Sequence, residues 1–300
     1  MTLTGDRFDI SELAHAFGGR PDISARSVLV TIFGDSVVPA GGEIWLGDLI
    51  DLCRPFGFND RLVRTSMFRL TSEDWFETER VGRRSRYRLT PTATSEFAEA
   101  EARIYHRPEP SWDHEWTVVF LDSGLLERDE RDTLGSLLRW RGYTDLSSGV
   151  LAVPRTEPTV VRRLAERSGT QRPVPVAVSR FDQLDDLVAA GWLDQSFGLD
   201  EAAQRYQDFV DRHGWAAAID LEALAPSEAF LIRTMIVHDI RRPRLADPEL
   251  PADLLPTDWP GAAAFELAGS VYRSVTDAAW SWLGDSAGLS ADPRPSRFPT

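Results

Sequence analysis

Residues 26–90 read RSVLVTIFGDSVVPAGGEIWLGDLIDLCRPFGFNDRLVRTSMFRLTSEDWFETERVGRRSRYRLT, and the order of patterns in this stretch decides the fold. Ser24, just before it, is a helix N-cap, and Val28, Ile32 and Phe33 fall on one helical face. Gly41-Gly42 marks a turn. EIWL suits a short strand before the helix GDLIDLCRPF, which Pro55 and Gly57 bring to an end. Asn59 caps a further helix, DRLVRTSMFRLTSEDW. FETERV and RSRYRL then flank Gly82-Arg83 as the two arms of a β-hairpin. Helix, short strand, helix, helix, hairpin is the order of a winged helix-turn-helix. Thr90-Pro91 opens one more helix, roughly to Tyr105.

In the helix after Asn59, Val63, Met67 and Leu70 step by four and three and predict a core-facing stripe. Arg61, Arg64, Thr65 and Arg69 fall on the other sides. A recognition helix presents such residues to base edges and phosphates. The hairpin adds Arg83, Arg84 and Arg86, suited to phosphate or minor-groove contact. Between Asn59 and Thr90 eight arginines stand against five carboxylates, a net of +3, within a chain whose formal charge is -14. A confined basic patch in an acidic protein fits duplex DNA without indiscriminate binding. The competing reading is a solvated helix and hairpin in an Arg-rich chain.

Working outward, residues 1–23 contain Gly, Pro and Asp around one short apolar stretch and read as a flexible arm with at most a helical turn. The N-terminal winged helix spans 24–107. HRPEPSWDHE is a linker. After it, strands at WTVVFL, SGVLAVP and VPVAVSRF alternate with helices at ERDERDTLGSLLRWRG and EPTVVRRLAERSG. One further strand is expected near Tyr143 to Leu146. This pattern predicts a ferredoxin-like middle domain over 108–181. Residues 182–300 read as an all-α C-terminal domain, beginning with LDDLVAAGWL and ending in a frayed dozen residues. The fold class is α+β.

No apolar run is long enough for a membrane span, and the N-terminus has no signal-peptide pattern. Cys53 is the only cysteine, which excludes an intramolecular disulfide and fits a reducing, cytoplasmic setting. It sits in an apolar helix and reads as core. GxSxG, P-loop and GxGxxG motifs are absent, and no zinc spacing stands out, so no cofactor and no enzyme activity are expected. His106 and His114, eight residues apart in the linker, read as linker residues rather than as a metal pair.

The quoted stretch resembles the N-terminal domain of the PaaX family of repressors. RTMIVHDIRRPRLADPELPADLLPTDWPG resembles that family's C-terminal signature, with Ile240 where the pattern has an aromatic residue. The resemblance covers about residues 24–283. It implies a homodimer on a palindromic operator, repression of aerobic phenylacetate breakdown, and release from DNA by phenylacetyl-CoA. An effector site for such a thioester would need cations for phosphate. His238, Arg241, Arg242 and Arg244 supply them, near Arg233 and Asp239, with Trp259 as a candidate lid. His238 and Arg242 are one turn apart. The alternative is that the cluster is a structural network stitching domains together. Two further readings stay open. One is a PaaX-like regulator of another catabolic pathway with a different effector. The other is a metal-dependent nuclease of the Cas type built on the ferredoxin-like domain, with Asp122 as a metal ligand; Asp122-Ser123-Gly124 is equally an ordinary turn.

Overall fold

The computed structural model describes residues 9–107, 112–122, 124–182, 184, 191–290 and 297–299. It mixes helices with two small antiparallel sheets. The chain divides into two compact units that are discontinuous in sequence: 1–106, 206–245 and 260–300 form one, 107–205 and 246–259 the other.

The first unit starts with helix α1 (Ile10–Gly18), where an arm was expected. Asp9 caps it, accepting from the Ser11 and Glu12 amides, and Ile10, Ala14 and Phe17 are buried. A short amphipathic segment becomes ordered once its apolar face has somewhere to pack. Residues 1–8 of that expected arm lie outside the described residues. Helix α2 (Ala25–Ile32) is capped by Ser24 in a capping box with Ser27. It runs on as a π-helical turn, Phe33–Val37, and Val28, Ile32 and Phe33 are fully buried.

Strand β1 (Glu43–Trp45) leads into α3 (Leu46–Cys53). The chain then turns through Arg54–Phe56 to Gly57, at φ +81°, where the His15 ring lies 2.9 Å from where a Cβ would stand. Only glycine satisfies both demands without strain. Helix α4 (Asp60–Ser72) is capped by Asn59, whose side chain accepts from the Leu62 amide. Its Val63, Met67 and Leu70 are fully buried, the stripe expected from spacing.

Strands β2 (Phe76–Val81) and β3 (Arg84–Leu89) pair in register from Phe76–Leu89 to Val81–Arg84, which leaves Gly82-Arg83 as the tip. The sheet order is β1-β3-β2. Helix α5 (Pro91–Tyr105) follows, with Thr90 as its cap and Pro91 at its first position.

The second unit has strand β4 (Trp116–Phe120), helix α6 (Arg128–Trp140), strands β5 (Thr144–Ser147) and β6 (Val150–Val153), helix α7 (Pro158–Arg167) and strand β7 (Val176–Ser179). The order β5-β6-β4-β7 is antiparallel throughout. Strand alternation sends side chains to two faces. Val119, Leu151 and Val153 meet Leu134 and Leu138 of α6 and Val161 of α7. Trp116, Val118 and Ala152 meet Leu193 of helix α8 (Trp192–Phe197), together with Leu250 and Leu254. The proline-rich signature after Ala246 therefore covers the second face of this sheet.

The helix expected at LDDLVAAGWL falls mostly outside the described residues. Helix α9 (Leu199–His213) carries the chain back into the first unit. Helix α10 (Pro226–Ala246) is buried almost continuously from Ala229 to Ile240, as befits a helix at the centre of a bundle. Helix α11 (Gly261–Ala287) is the last. The expected frayed end is corrected in part: Phe298 is fully buried against Tyr105, Phe265 and Tyr272, and its amide donates to the Tyr105 carbonyl. Residues 291–296 and 300 are outside the described set.

Candidate nucleic-acid interface

Burying Val63, Met67 and Leu70 turns the opposite side of α4 to solvent. Arg61, Arg64, Thr65 and Arg69 are all exposed. Neither the Arg61 nor the Arg64 guanidinium has a hydrogen bond or ion pair among the described residues. Thr65 Oγ1 donates to the Arg61 carbonyl at 2.8 Å, so its proton is spent within the helix and its lone pairs face outward. Phe68 lies one turn from both Arg64 and Thr65 and is 71% exposed. An aromatic ring so placed costs solubility and fits contact with a base or a thymine methyl. Spacing put Phe68 off the core stripe, and only its exposure beside the arginines marks it as part of this face.

The hairpin divides its arginines. Arg83 is at the tip, exposed and without a partner among the described residues. Arg84 lies 4.3 Å over the Trp45 ring and 3.6 Å from Asp48. Arg86 is inside β3 rather than at the tip; it pairs with Glu43 at 2.9 Å and with Glu79, and leans on the same ring at 5.5 Å. The pairing register places residues 84 and 86 on one face of the ribbon, which is why both find Trp45.

The cationic residues of α10 are used inwardly. His238 is fully buried; its Nδ1 is 2.9 Å from Thr31 Oγ1, whose own proton goes to the Ser27 carbonyl. Burial, helped by neighbouring Arg241, pushes the His238 pKa down to about 3. Asp239 receives Arg20 at 2.7 Å, His213 at 2.9 Å and Arg212 at 3.4 Å. Burial alone would raise this carboxyl, but the hydrogen bonds from His213 and Arg20 hold it well below the usual range. Arg242 is exposed and pairs with Asp22 at 2.6 Å. Arg244 is buried, donates to the His106 carbonyl and lies 5.5 Å from the Phe265 ring. Arg241 is half-buried and donates to the Ser27 carbonyl at 3.3 Å. Trp259 belongs to the second unit, where it packs against the Trp116 cluster.

A further cluster, which spacing did not reveal, centres on Asp35 in the π-helical turn. Its carboxylate forms an ion pair with Arg233 at 2.8 Å and accepts from Arg297 at 3.0 Å, Tyr105 at 2.8 Å and Tyr272 at 3.0 Å. Burial opposes ionisation here, and the two guanidiniums outweigh it, so the carboxyl stays low. Cys53 is fully buried and burial pushes its thiol up, so it is no nucleophile. Asp122 pairs with Arg131 at 2.9 Å, and no group of three potential metal ligands occurs among the described residues.

Three family models match the chain: PaaX-like protein over residues 24–93, PaaX protein central Cas2-like domain over 109–188, and PaaX-like protein C-terminal domain over 197–284. The transcriptional repressor PaaX of Escherichia coli (strain K12) is 31% identical over 294 residues, covering 95% of this chain and 90% of that protein. The chain belongs to the PaaX-like family. That family is one of transcriptional repressors, not of enzymes. Among solved structures, an uncharacterized protein, Rv0674 from Mycobacterium tuberculosis, shares the fold at 21% identity and a TM-score of 0.53, covering 85% of this chain and 97% of that one. PaaX-like membership places the α4 arginines in the segment matched by the N-terminal family model. No described helix is long and apolar enough to cross a membrane.

Proposed function

We propose that this protein is a cytoplasmic, homodimeric repressor that reads a palindromic operator through a winged helix-turn-helix, α2 to β3. The observation that carries the reading is the exposed, unpaired pair Arg61 and Arg64 on α4, behind which the core stripe is complete. A dimer would set two such helices about one helical turn of DNA apart. The strand order of the second unit supports a ferredoxin-like middle domain. In this reading Arg61, Arg64 and Thr65 face base edges, Arg69 faces the backbone, and Arg83, with Arg84 and Arg86 behind it, approaches phosphate.

The regulated genes serve breakdown of a phenylacetate-type aromatic acid, and the effector is an aryl-acyl-CoA such as phenylacetyl-CoA. The support is similarity to the E. coli repressor together with the arginine-rich end of α10. Arg242 is the member of that cluster most open to a phosphate; His238, Arg241 and Arg244 shape its surroundings, and Trp259 lies on the signature segment that follows. A PaaX-like regulator of another pathway is the alternative.

Genome-wide mapping of bound DNA tests the operator and names the pathway from neighbouring genes. Titrating the operator complex with phenylacetyl-CoA, free CoA and phenylacetate tests the effector. Release by the thioester alone, weakened in Arg242→Ala, is expected. Equal release by free CoA means that the acyl group is not read. A tenfold change in operator affinity needs about 1.4 kcal/mol of coupling.

A further inference from the structure

A cleft of about 150 Å³ opens in the first unit among α2, α5 and α10. Val30, Phe97, Ile104, Val237 and Leu245 form an apolar wall, with Trp75 beside Phe97 in an edge contact. Roughly this volume, lined by apolar side chains, accommodates a benzene-sized ring. One cation lines the cleft, Arg241. Its situation differs from that of every other arginine named on α10. Arg233 has Asp35, Arg242 has Asp22, and Arg244 has a short bond to the His106 carbonyl and the Phe265 face. Arg241 has one long bond, 3.3 Å, to the Ser27 carbonyl, and its Nε is buried with no protein partner. Burial pushes this guanidinium down to about 10. The carboxylate that acts on Arg241, Asp239, is already shared by Arg20, Arg212 and His213, so a further anion beside this part-buried guanidinium would be stabilising.

The carboxylates around the cleft do not supply it. Asp35 and Glu101 are taken by Arg233 and Arg297, and Glu96 is exposed. The cleft therefore offers a ring-sized, mostly apolar wall and one guanidinium with no ion pair of its own.

We infer that this cleft is a binding site for a small organic monoanion with an apolar, ring-sized body, its carboxylate paired with Arg241. The cleft is too small for a nucleotide-bearing ligand. The anion supplies the charge that Arg241 lacks, while its body displaces water from Val30, Ile104 and Val237. Thr31 and Val30 belong to α2, the helix that packs against α4, so an occupant rests on the support of the proposed recognition helix. The inference meets the effector reading only at Arg241, and its binding step is tested without DNA, so either can fail alone.

The experiment is calorimetric titration of the full chain with benzoate, benzyl alcohol and acetate. Wild type is expected to bind benzoate, to bind benzyl alcohol more weakly, and to ignore acetate. Arg241→Met is expected to lose at least about tenfold in benzoate affinity, the loss of one charge-assisted pairing, with benzyl alcohol changed by less than about twofold. Removing a part-buried charge that has no ion pair of its own should leave the fold intact, which a thermal melt checks. As a second variant, Ala100→Leu fills the cleft and should abolish both aromatic ligands while keeping Arg241. The assignment is overturned if benzoate gives no binding up to about 10 mM, the weakest range in which a specific site is still resolved. It is equally overturned if Arg241→Met and Ala100→Leu bind benzoate as wild type does, or if acetate competes on equal terms.

Discussion

Helices α4 and α10 both carry arginines at helical spacing, and they use them in opposite ways. On α4, Arg61 and Arg64 stand in solvent with no partner among the described residues. On α10, Arg233 is fully buried against Asp35, and Arg244 is buried against a carbonyl and an aromatic face. The local sequences do not announce this difference, since both are Arg-rich runs broken by apolar residues. What separates them is whether a carboxylate or carbonyl, often some two hundred residues away, arrives at the guanidinium. An arginine left without such a partner at the surface is available to DNA; one that receives it holds the protein together.

The strongest way to break the comparison is Asp35→Ala. It leaves Arg233 buried and uncompensated and strands two tyrosine hydroxyls, so stability should fall by about 3–5 kcal/mol in chemical denaturation. A loss under about 1 kcal/mol would show that the cluster does not anchor the fold. Arg61→Ala and Arg64→Ala should do the reverse. Denaturation midpoints should barely move, while operator affinity drops by about 1–3 kcal/mol with relaxed preference at one base pair. Wild-type affinity in both would falsify the placement of α4 in the major groove.

The third expectation concerns pH. His238 is neutral in the folded protein down to about pH 3, whereas the unfolded chain protonates it near its ordinary 6.5. Between those values the unfolded state binds the extra proton, so stability is full above 6.5 and falls as pH drops, by up to about 1.4 kcal/mol per unit. His238→Leu should flatten the profile between pH 7 and 5; an unchanged slope would assign it to other groups. The smallest effect is expected at the hairpin. Arg83→Ala should weaken binding to all sequences alike and lower the salt slope by about one. Arg86→Ala, already neutralised by Glu43 and Glu79, should lower it less. Equal slopes for the two would erase the distinction between tip and strand.

Local signals were readable wherever the physics is local. Ser24, Asn59 and Thr90 cap the helices that their side chains predict, and Gly57 and Gly82 sit where backbone demands them. The Val63, Met67, Leu70 stripe located the outward face of α4. The strand Thr144–Ser147 was visible from its neighbours. Long-range pairings were not. Asp35 lies in an apolar run, and its partners Arg233 and Arg297 are 198 and 262 residues further on. The order of α1 depends on burial against elements that its own nine residues do not mention. Nor does sequence show that the proline-rich segment after Ala246 covers the central sheet, because strand Trp116–Phe120 reads the same whichever element lies above it.

The Asp35 cluster also bears on how the chain is made. A ribosome adds roughly 5–20 residues per second, so Asp35 emerges some 10–40 seconds before Arg233. During that interval the N-terminal segment lacks the cations that neutralise its buried carboxylate, and Arg297 comes later still. The core of the N-terminal segment is therefore completed only by chain made much later. A fragment that stops short of Arg233 would keep the Asp35 carboxylate without either guanidinium and should lack the stability of the whole unit.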